Sequence, residues 1–238
     1  MIYLLLPVFN EEDNLPGLVD GLESTLSGMN KFYVFVDDGS TDRSVAVLGE
    51  LMKGKEHVIL GDGANHGPGF AFNTGFDWIV GHSSNDADRV VTLESDNTSG
   101  REILLTMLKI SDTGFDLVLA SVYAQGGGFD KTGFIRKTIS FVANLFLRFM
   151  FDIKVLTLSS FYRVYTVSLL RTLKSKYKII ISEKGFISMI EILVKAIRVK
   201  ASIIEVPMVL YSARRKGKSK MKVMKTMMGY LRFLLTSR

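Results

Sequence analysis

Short apolar segments that alternate with helix-like segments are the feature of this sequence that most constrains its fold. Strands that are apolar on both faces are typical of parallel sheets, because helices cover such sheets on both sides. The sequence therefore predicts an α/β fold with a mostly parallel sheet and helices on both faces. The predicted strands are residues 2–8, 32–36, 57–60, 89–93, 116–121, 160–165 and 203–209.

Helices are predicted between these strands from the spacing of their apolar residues and from residues that favour helix termini. Acidic and hydroxyl side chains at residues 10–13 and 41–44 suit the first turn of a helix. The glycine-rich segment 125–128 is expected to be a flexible loop. The predicted helices are residues 15–26, 44–52, 69–80, 101–110, 134–151, 167–174 and 185–199.

Polar side chains follow three of the predicted strands at the point where each strand ends. Ligands of parallel α/β sheets bind beyond the carboxyl ends of the strands. We therefore expect these polar side chains to converge on one site. They are Asn10 and Glu11 after the first strand, Asp37 and Asp38 after the second, and Glu94 and Asp96 after the fourth.

The segment VVTLESDNTSG delivers two carboxylates, Glu94 and Asp96, from the end of a strand. Mg²⁺ or Mn²⁺ can be held by one or two carboxylates together with the oxygens of a diphosphate. The sequence therefore indicates a metal site here, although a solvated turn is the more frequent explanation of an isolated E-x-D.

Two further loops can bind parts of a nucleotide. The carboxylates of Asp37 and Asp38 can accept hydrogen bonds from a base or a ribose, or they can simply cap a helix. Gly67 and Gly69 allow close backbone approach before a helix N-terminus, where a phosphate is favoured. The spacing of residues 65–69 matches neither a Walker loop nor a Rossmann fingerprint.

Composition excludes several kinds of chemistry. The chain has no cysteine, which excludes disulfides, thiolate zinc sites and a cysteine nucleophile and agrees with a reducing cytoplasm. No apolar run approaches the roughly 20 residues that span a bilayer. The net charge of +6 is concentrated in residues 214–238, which contain no acid. This tail lacks the aromatic platform of a single-strand nucleic-acid binder, so no nucleic-acid partner is expected.

The tail also predicts a membrane contact. Between residues 218 and 235, Met and Leu alternate with Lys at near-helical spacing. A helix of this kind can lie on an anionic membrane surface, or its apolar residues can pack into the core. The first interpretation places the chain in the cytoplasm, peripheral at the cytoplasmic face of a membrane.

Ordered motifs across nearly the whole chain resemble a known family. The segments LLPVFNEEDNLP, VFVDDGSTDRS, NHGPGFAFNTGF, ESD, GFISMIEILVKA, EVP and RRKGKSKM occur in the order seen in family 2 glycosyltransferases. The similarity is greatest to the polyprenyl-phosphate sugar transferases, of the dolichol-phosphate mannose synthase type. The motifs extend from residue 4 to about residue 221.

The resemblance implies a GT-A fold over residues 1–213 and an inverting, metal-dependent reaction. Residues 1–100 would form a Rossmann-like half that binds the nucleotide sugar and the metal, and residues 101–213 the acceptor half. A sugar, mannose or glucose, would pass to a polyprenyl phosphate. Residues 214–238 would form a basic membrane-associated segment. Relatives often continue into transmembrane helices, so a membrane-protein partner is an expectation.

The resemblance also implies roles for individual residues. Glu94 and Asp96 fall on the D-x-D metal motif, with glutamate replacing its first aspartate. Arg136 and Ser140 match positions associated with the acceptor phosphate. Pro7, Asn10, Glu11 and Asp38 fall where the family holds the nucleotide, and the loop patterns described above add Asp37, Gly67 and Gly69 to that side. The remaining polar positions of the site would be Arg163, Glu191, Arg214, Ser219 and Lys220.

Departures from the family pattern leave alternatives open. Val122 stands where the family often has arginine, and Thr157 and Phe161 replace an aspartate and a glycine. A saccharide acceptor is one alternative, with Glu191 as the base that a hydroxyl group requires. A non-catalytic protein that binds a nucleotide or a membrane is another. Arg163 can serve the site or form an ion pair with Glu191.

Overall fold

The computed structural model describes residues 1–131, 141, 144–145, 148–149 and 153–217. These residues contain nine strands, numbered β1 to β9 in chain order, and six α-helices whose two ends are both described, numbered α1 to α6. The strands are Ile2–Val8, Lys31–Asp37, His57–Leu60, Arg89–Thr92, Leu117–Ser121, Gly128–Asp130, Arg163–Thr166, Ile203–Pro207 and Val209–Tyr211. The helices are Leu15–Thr25, Ser44–Leu51, Pro68–His82, Leu104–Asp112, Val167–Tyr177 and Ser188–Arg198.

Seven strands form one sheet in the order β3-β2-β1-β4-β7-β5-β8. The pairs β2–β3, β1–β2, β1–β4 and β5–β8 are parallel, which confirms the predicted sheet. Strand β7 is the exception, because it runs antiparallel to both β4 and β5. Its first residue, Arg163, therefore lies opposite Thr92, at the edge where β4 ends.

Helices cover both faces of this sheet, and alternate residues of β1 show why. Leu4 and Leu6 point into a buried cluster with residues of α1, α2 and α4. Leu5 points into the opposite cluster, which α3, α5 and α6 complete. All three leucines are fully buried. Strands with two apolar faces therefore lie between two helical layers, as the sequence predicts.

Two regions differ from the predicted elements. The segment 203–209 is divided into β8 and β9 at Met208, whose N–H donates to the carbonyl of Ser121. The glycine-rich loop ends in β6, which pairs in parallel with β9 to form a separate two-stranded sheet. Strands of three residues carry too little hydrophobic periodicity to be recognised, and only their pairing defines them.

Parts of the chain on which predictions fall lie outside the described residues. They include most of the helix expected at 134–151 and the amphipathic tail expected at 218–235. Among the helices that the structure describes, none is both long enough and apolar enough to cross a membrane.

Two glycines of α3 provide a test of this packing. A Cβ atom on Gly75 would lie 2.1 Å from Cδ1 and 3.1 Å from Cγ of the buried Leu5. A Cβ atom on Gly81 would meet nothing within 4 Å. We expect Gly75→Ala to lower the free energy of unfolding by about 1–3 kcal/mol through overpacking. Gly81→Ala should raise it by up to about 1 kcal/mol through helix propensity.

Urea denaturation followed by circular dichroism measures both changes. Equal effects of the two substitutions would contradict the close packing of α3 on β1.

Candidate active site

The loops that follow β1, β2 and β4 meet at one edge of the sheet. The hydroxyl of Ser95 donates to the carbonyl of Pro7 over 2.7 Å, and the N–H of Asp38 donates to the carbonyl of Val8 over 2.8 Å. A cleft of about 240 Å³ opens beside them. Its lining residues are Asn10, Glu12, Asp13, Asn14, Asp42, Lys216 and Gly217.

Asn10 and Glu11 join the loop after β1 to the loop after β2. Asn10 has a left-handed backbone, with φ of 54°, and its side-chain oxygen accepts the N–H of Thr41 at 2.7 Å. Glu11 is buried, and its N–H donates to the hydroxyl of Ser44 at 2.7 Å. These two residues therefore fix the shape of the wall beside the cleft.

Asp37 and Asp38 have different surroundings although they are adjacent in sequence. Asp38 is buried, and its carboxylate accepts the N–H groups of His66 at 2.7 Å and of Gly67 at 2.9 and 3.0 Å. Burial raises the pKa of the Asp38 carboxyl, although these two amides act in the opposite direction. Asp37 is only half-buried and accepts the N–H of Ser40 at 3.2 Å. Asp38 therefore supports the next loop, whereas Asp37 lies nearer the surface.

The predicted phosphate loop at residues 65–69 is packed against protein instead. Gly67 has φ of 93°, and a Cβ atom there would lie 2.5 Å from the carbonyl oxygen of Lys184. The N–H of Gly69 donates to the same oxygen at 2.9 Å. Since the amides of His66 and Gly67 are bound by Asp38, this helix N-terminus does not present those groups to a phosphate. The carboxylate of Asp38 therefore lies at the positive end of the α3 helix dipole.

Glu191 lies on α6 and holds the segment that packs on this glycine loop. Its carboxylate accepts the N–H groups of Ser182 at 2.9 Å and of Glu183 at 2.8 Å. It also forms a buried ion pair with Lys195 at 2.7 Å. In the described structure this lysine, and not Arg163, is the cationic partner of Glu191, so the predicted alternative ion pair does not form.

Arg163 lies beneath the edge and is fully buried. Its guanidinium donates to the carbonyls of Leu158 at 2.7 Å, Ser160 at 2.8 Å and Met189 at 2.9 Å. The antiparallel direction of β7 brings it close to the end of β4, but its donors are directed at the backbone. The structure therefore gives Arg163 the contacts of a residue that supports the turn at 158–160, and not those of a surface phosphate ligand.

Glu94 and Asp96 are held in the loop after β4 by different groups. The hydroxyl of Ser99 donates to Glu94 at 2.6 Å. Burial raises the pKa of the Glu94 carboxyl, and the negative charge of Asp96 raises that pKa further. Asp96 is buried, and its Oδ1 accepts the N–H of Thr98 at 3.1 Å and the Thr98 hydroxyl at 2.6 Å. The two carboxylates are thus close enough to interact electrostatically.

Arg215 is one of two residues of this site that the sequence did not identify. Its Nε donates to Oδ2 of Asp96 at 2.7 Å, and its Nη2 forms an ion pair with the same oxygen. The predicted Arg214 stacks over the ring of Tyr211 at 3.7 Å. Neighbouring arginines look alike in a sequence, and the 3₁₀ turn at Ser212–Arg214 decides which of them points to Asp96.

Asn14 was also missed, and it holds the segment that carries Arg215. Its side-chain amide donates to the carbonyl of Lys216 and accepts the N–H of Lys216, both at 3.0 Å. The N–H of Tyr211 donates to the carbonyl of Thr98 at 2.8 Å. Residues 211–217, hereafter the strap, are therefore attached at both ends to the site. The sequence offers only one signal, an amide residue at the end of the acidic run after β1.

The residues at this edge fit a divalent cation. In the described part of the chain, no group of three or more acidic or histidine side chains can hold a metal by itself. Two neighbouring carboxylates suffice when a diphosphate supplies the other oxygens. The guanidinium of Arg215 at Oδ2 of Asp96 shows that this position attracts positive charge.

Arg136, Ser140, Ser219 and Lys220 lie outside the described residues. Thr157, which stands in place of an aspartate, is buried, and its hydroxyl shares a hydrogen bond of 2.7 Å with the hydroxyl of Ser121. A neutral pair therefore occupies the position where the family pattern has a charge.

Comparison with known proteins gives the family. The family model described as glycosyl transferase family 2 matches residues 3–174. A polyprenol monophosphomannose synthase of Mycolicibacterium smegmatis is 28% identical over 222 residues, which are 92% of this chain and 80% of that protein. A dolichol-phosphate mannosyltransferase of Pyrococcus furiosus is 28% identical over 237 residues, 98% of this chain but only 62% of that protein.

Solved structures give the fold. The glucosyl-3-phosphoglycerate synthase of Mycobacterium tuberculosis, solved in complex with Mn²⁺, UDP and glucosyl-3-phosphoglycerate, has a TM-score of 0.67 to this chain. The match covers 99% of this chain and 77% of that one, at 17% sequence identity. Together with the strand-end carboxylates, these comparisons lead to one conclusion: the chain is a GT-A glycosyltransferase that belongs to glycosyl transferase family 2 and resembles the polyprenyl-phosphate sugar transferases within it.

Proposed function

We propose that this enzyme transfers a sugar, mannose or glucose, from a nucleotide-sugar donor to a polyprenyl phosphate with inversion at the sugar carbon. The proposal rests on one structural observation above all, the paired carboxylates of Glu94 and Asp96 at the end of β4. The relatives named as a polyprenol monophosphomannose synthase and a dolichol-phosphate mannosyltransferase support the sugar and the acceptor class. The structural neighbour solved with Mn²⁺ and UDP-glucose supports a nucleotide-sugar donor.

Glu94 and Asp96 would hold Mg²⁺ or Mn²⁺. When bound, such a cation stabilises the charge that develops on a departing diphosphate. The raised pKa of Glu94, caused by burial and by Asp96, means that this carboxylate takes up a proton at a higher pH than an ordinary glutamate. Cation binding should therefore weaken as the pH falls through that raised pKa.

The cleft beside Asn10 would bind the nucleotide. Asn10 and Glu11 fix its wall, and the half-buried Asp37 is a better placed acceptor for base or ribose donors than the buried Asp38. Pro7 would contribute indirectly, because its carbonyl accepts the hydroxyl of Ser95 and so helps to hold the loop after β4. Gly67 and Gly69 would act indirectly, since they let the loop at 65–69 pack closely on Lys184.

A phosphate acceptor agrees with the contacts of Glu191, the carboxylate that the sequence offers as a base for a saccharide acceptor. A lipid phosphate is anionic at neutral pH, whereas a saccharide hydroxyl must lose a proton. Glu191 was the carboxylate considered for that task. Its oxygens accept two backbone amides and pair with Lys195. These contacts favour the phosphate acceptor over the saccharide acceptor.

Exposed apolar residues support a position at the cytoplasmic face of a membrane. Phe141, Leu145 and Phe149 lie four residues apart and are 53%, 52% and 84% exposed. The acid-free segment from residue 214 onward adds positive charge, which anionic lipid headgroups attract. A surface of this composition would bring the site to a lipid-linked acceptor, with or without a membrane-protein partner.

The substitution Asp96→Asn tests the proposed reaction. We expect metal-dependent transfer of radiolabelled sugar to polyprenyl phosphate in liposomes to fall roughly 100-fold or more, because the carboxylate that binds the cation is lost. The matched control is Asp20→Asn, which removes an exposed carboxylate of α1 and should leave transfer unchanged. A panel of GDP- and UDP-sugars identifies the donor. Lack of lipid-linked product with every donor would refute the proposal.

The substitution Glu191→Ala tests whether this carboxylate is structural. We expect it to lower the free energy of unfolding by roughly 3 kcal/mol, because it leaves the largely buried charge of Lys195 without its carboxylate partner and two amides without acceptors. Glu50→Ala breaks the pair between Lys53 and Glu50, whose side chains are 70% and 73% exposed. That control should change stability by about 0.5 kcal/mol or less. Similar losses in both variants, measured by urea denaturation, would show that Glu191 is not a structural support.

A further inference from the structure

The ion pair between Arg215 and Asp96 occupies the oxygen that a metal would use. Oδ1 of Asp96 already accepts two hydrogen bonds from Thr98, which leaves Oδ2 as the oxygen directed toward the strap. Nε and Nη2 of Arg215 both bind Oδ2. The side chains of Asp96 and Arg215 are only 12% and 20% exposed, so solvent screens this pair weakly.

A guanidinium and a divalent cation cannot share this oxygen. Each requires the lone pairs of Oδ2 at close range, and two positive groups at that distance repel one another. A cation that binds Asp96 must therefore displace Arg215, and the energy of the ion pair opposes cation binding.

The strap keeps Arg215 close to the site after such a displacement. Lys216 is bound to Asn14 by two hydrogen bonds, and Tyr211 is bound to Thr98 by one. On the strap these contacts involve only backbone groups, so they do not depend on the position of the Arg215 side chain. A displaced guanidinium thus stays beside the cleft, where it can form paired hydrogen bonds with phosphate oxygens as it does with a carboxylate.

From these contacts we infer that Arg215 sets the affinity of the site for its divalent cation by competing for Oδ2 of Asp96. This inference rests on the proposed function, in which the cation binds Glu94 and Asp96. The arginine exchanges its carboxylate partner for a diphosphate oxygen when cation and nucleotide bind together. When no cation is bound, the guanidinium neutralises Asp96.

The test is a titration of the full chain with Mn²⁺ alone, followed by the electron paramagnetic resonance signal of free Mn²⁺. We expect Arg215→Gln to bind Mn²⁺ about tenfold more tightly than the unsubstituted protein, because the competing group is gone. Arg214→Gln is the matched control, since it removes the same charge one residue away but leaves Asp96 paired. Its affinity for Mn²⁺ should stay within about threefold of the unsubstituted protein.

A second titration in the presence of UDP tests the exchange of partners. UDP should increase Mn²⁺ affinity more in the unsubstituted protein than in Arg215→Gln, which has lost the group that binds the diphosphate. Adding Asp96→Asn to Arg215→Gln should abolish the gain in affinity and so locate it at Asp96. Thermal unfolding provides a separate readout: Mn²⁺ should raise the Tm of Arg215→Gln more than that of the unsubstituted protein.

The outcomes separate this inference from the proposed function. Equal Mn²⁺ affinities of Arg215→Gln and Arg214→Gln, or weaker binding by Arg215→Gln, would overturn the competition. So would a failure of both the unsubstituted protein and Arg215→Gln to bind Mn²⁺. A tighter Mn²⁺ site in Arg215→Gln without sugar transfer to any lipid would support the competition and count against the proposed reaction alone.

Discussion

The carboxylate of Asp38 is the contact on which the geometry of the active-site edge depends. It lies at the end of β2 and binds the amides of His66 and Gly67 immediately before α3. An internal anion at a helix N-terminus satisfies amides that the helix itself leaves unpaired, and it interacts favourably with the helix dipole. The glycine loop can then pack on Lys184, in the segment that Glu191 fixes from α6. The end of β2 is thereby connected to α3 and to α6.

The acidic residues of the edge fall into two groups that differ in their partners. Asp38 and Glu191 are bound by backbone amides, and Glu191 is also paired with Lys195, so their charges are used within the fold. Glu94 and Asp96 lie together in one loop, where burial and the charge of Asp96 raise the pKa of Glu94. Their main cationic partner in the described structure is a guanidinium on the strap. A side chain is a more easily displaced partner than a set of backbone amides, and this difference suits the second pair to ligand binding.

The residues that hold this edge of the sheet in place come from distant parts of the sequence. Strand β7 runs antiparallel to its neighbours and thereby brings Arg163 beneath the end of β4. Strand β9 carries the chain to the strap, whose attachment to Thr98 and Asn14 joins residues more than 100 positions apart. The loop that carries Asp96 is thus enclosed by the first and the last described segments of the chain.

The sequence predicted the parts of the protein that depend on local chemistry. Apolar strands separated by helices specified the parallel sheet, and the motifs around Asp38 and Asp96 were sufficient to indicate the family. The site was predicted less completely. Local patterns placed Glu94 and Asp96 correctly in the loop after β4, but they could not show that the amides of the 65–69 loop are bound internally.

Only the tertiary structure decided which charges meet. Glu191 pairs with Lys195 and not with Arg163, which the direction of β7 places beneath the end of β4. Asp96 pairs with Arg215 and not with Arg214, because a short 3₁₀ turn precedes Arg215. The sequence by itself determined the sheet, the strand-end carboxylates and the family, because hydrophobic periodicity and motif order can be recognised along the chain without knowledge of its tertiary contacts. The partners of each charge follow from distances between remote segments, and such distances exist only once the chain has folded.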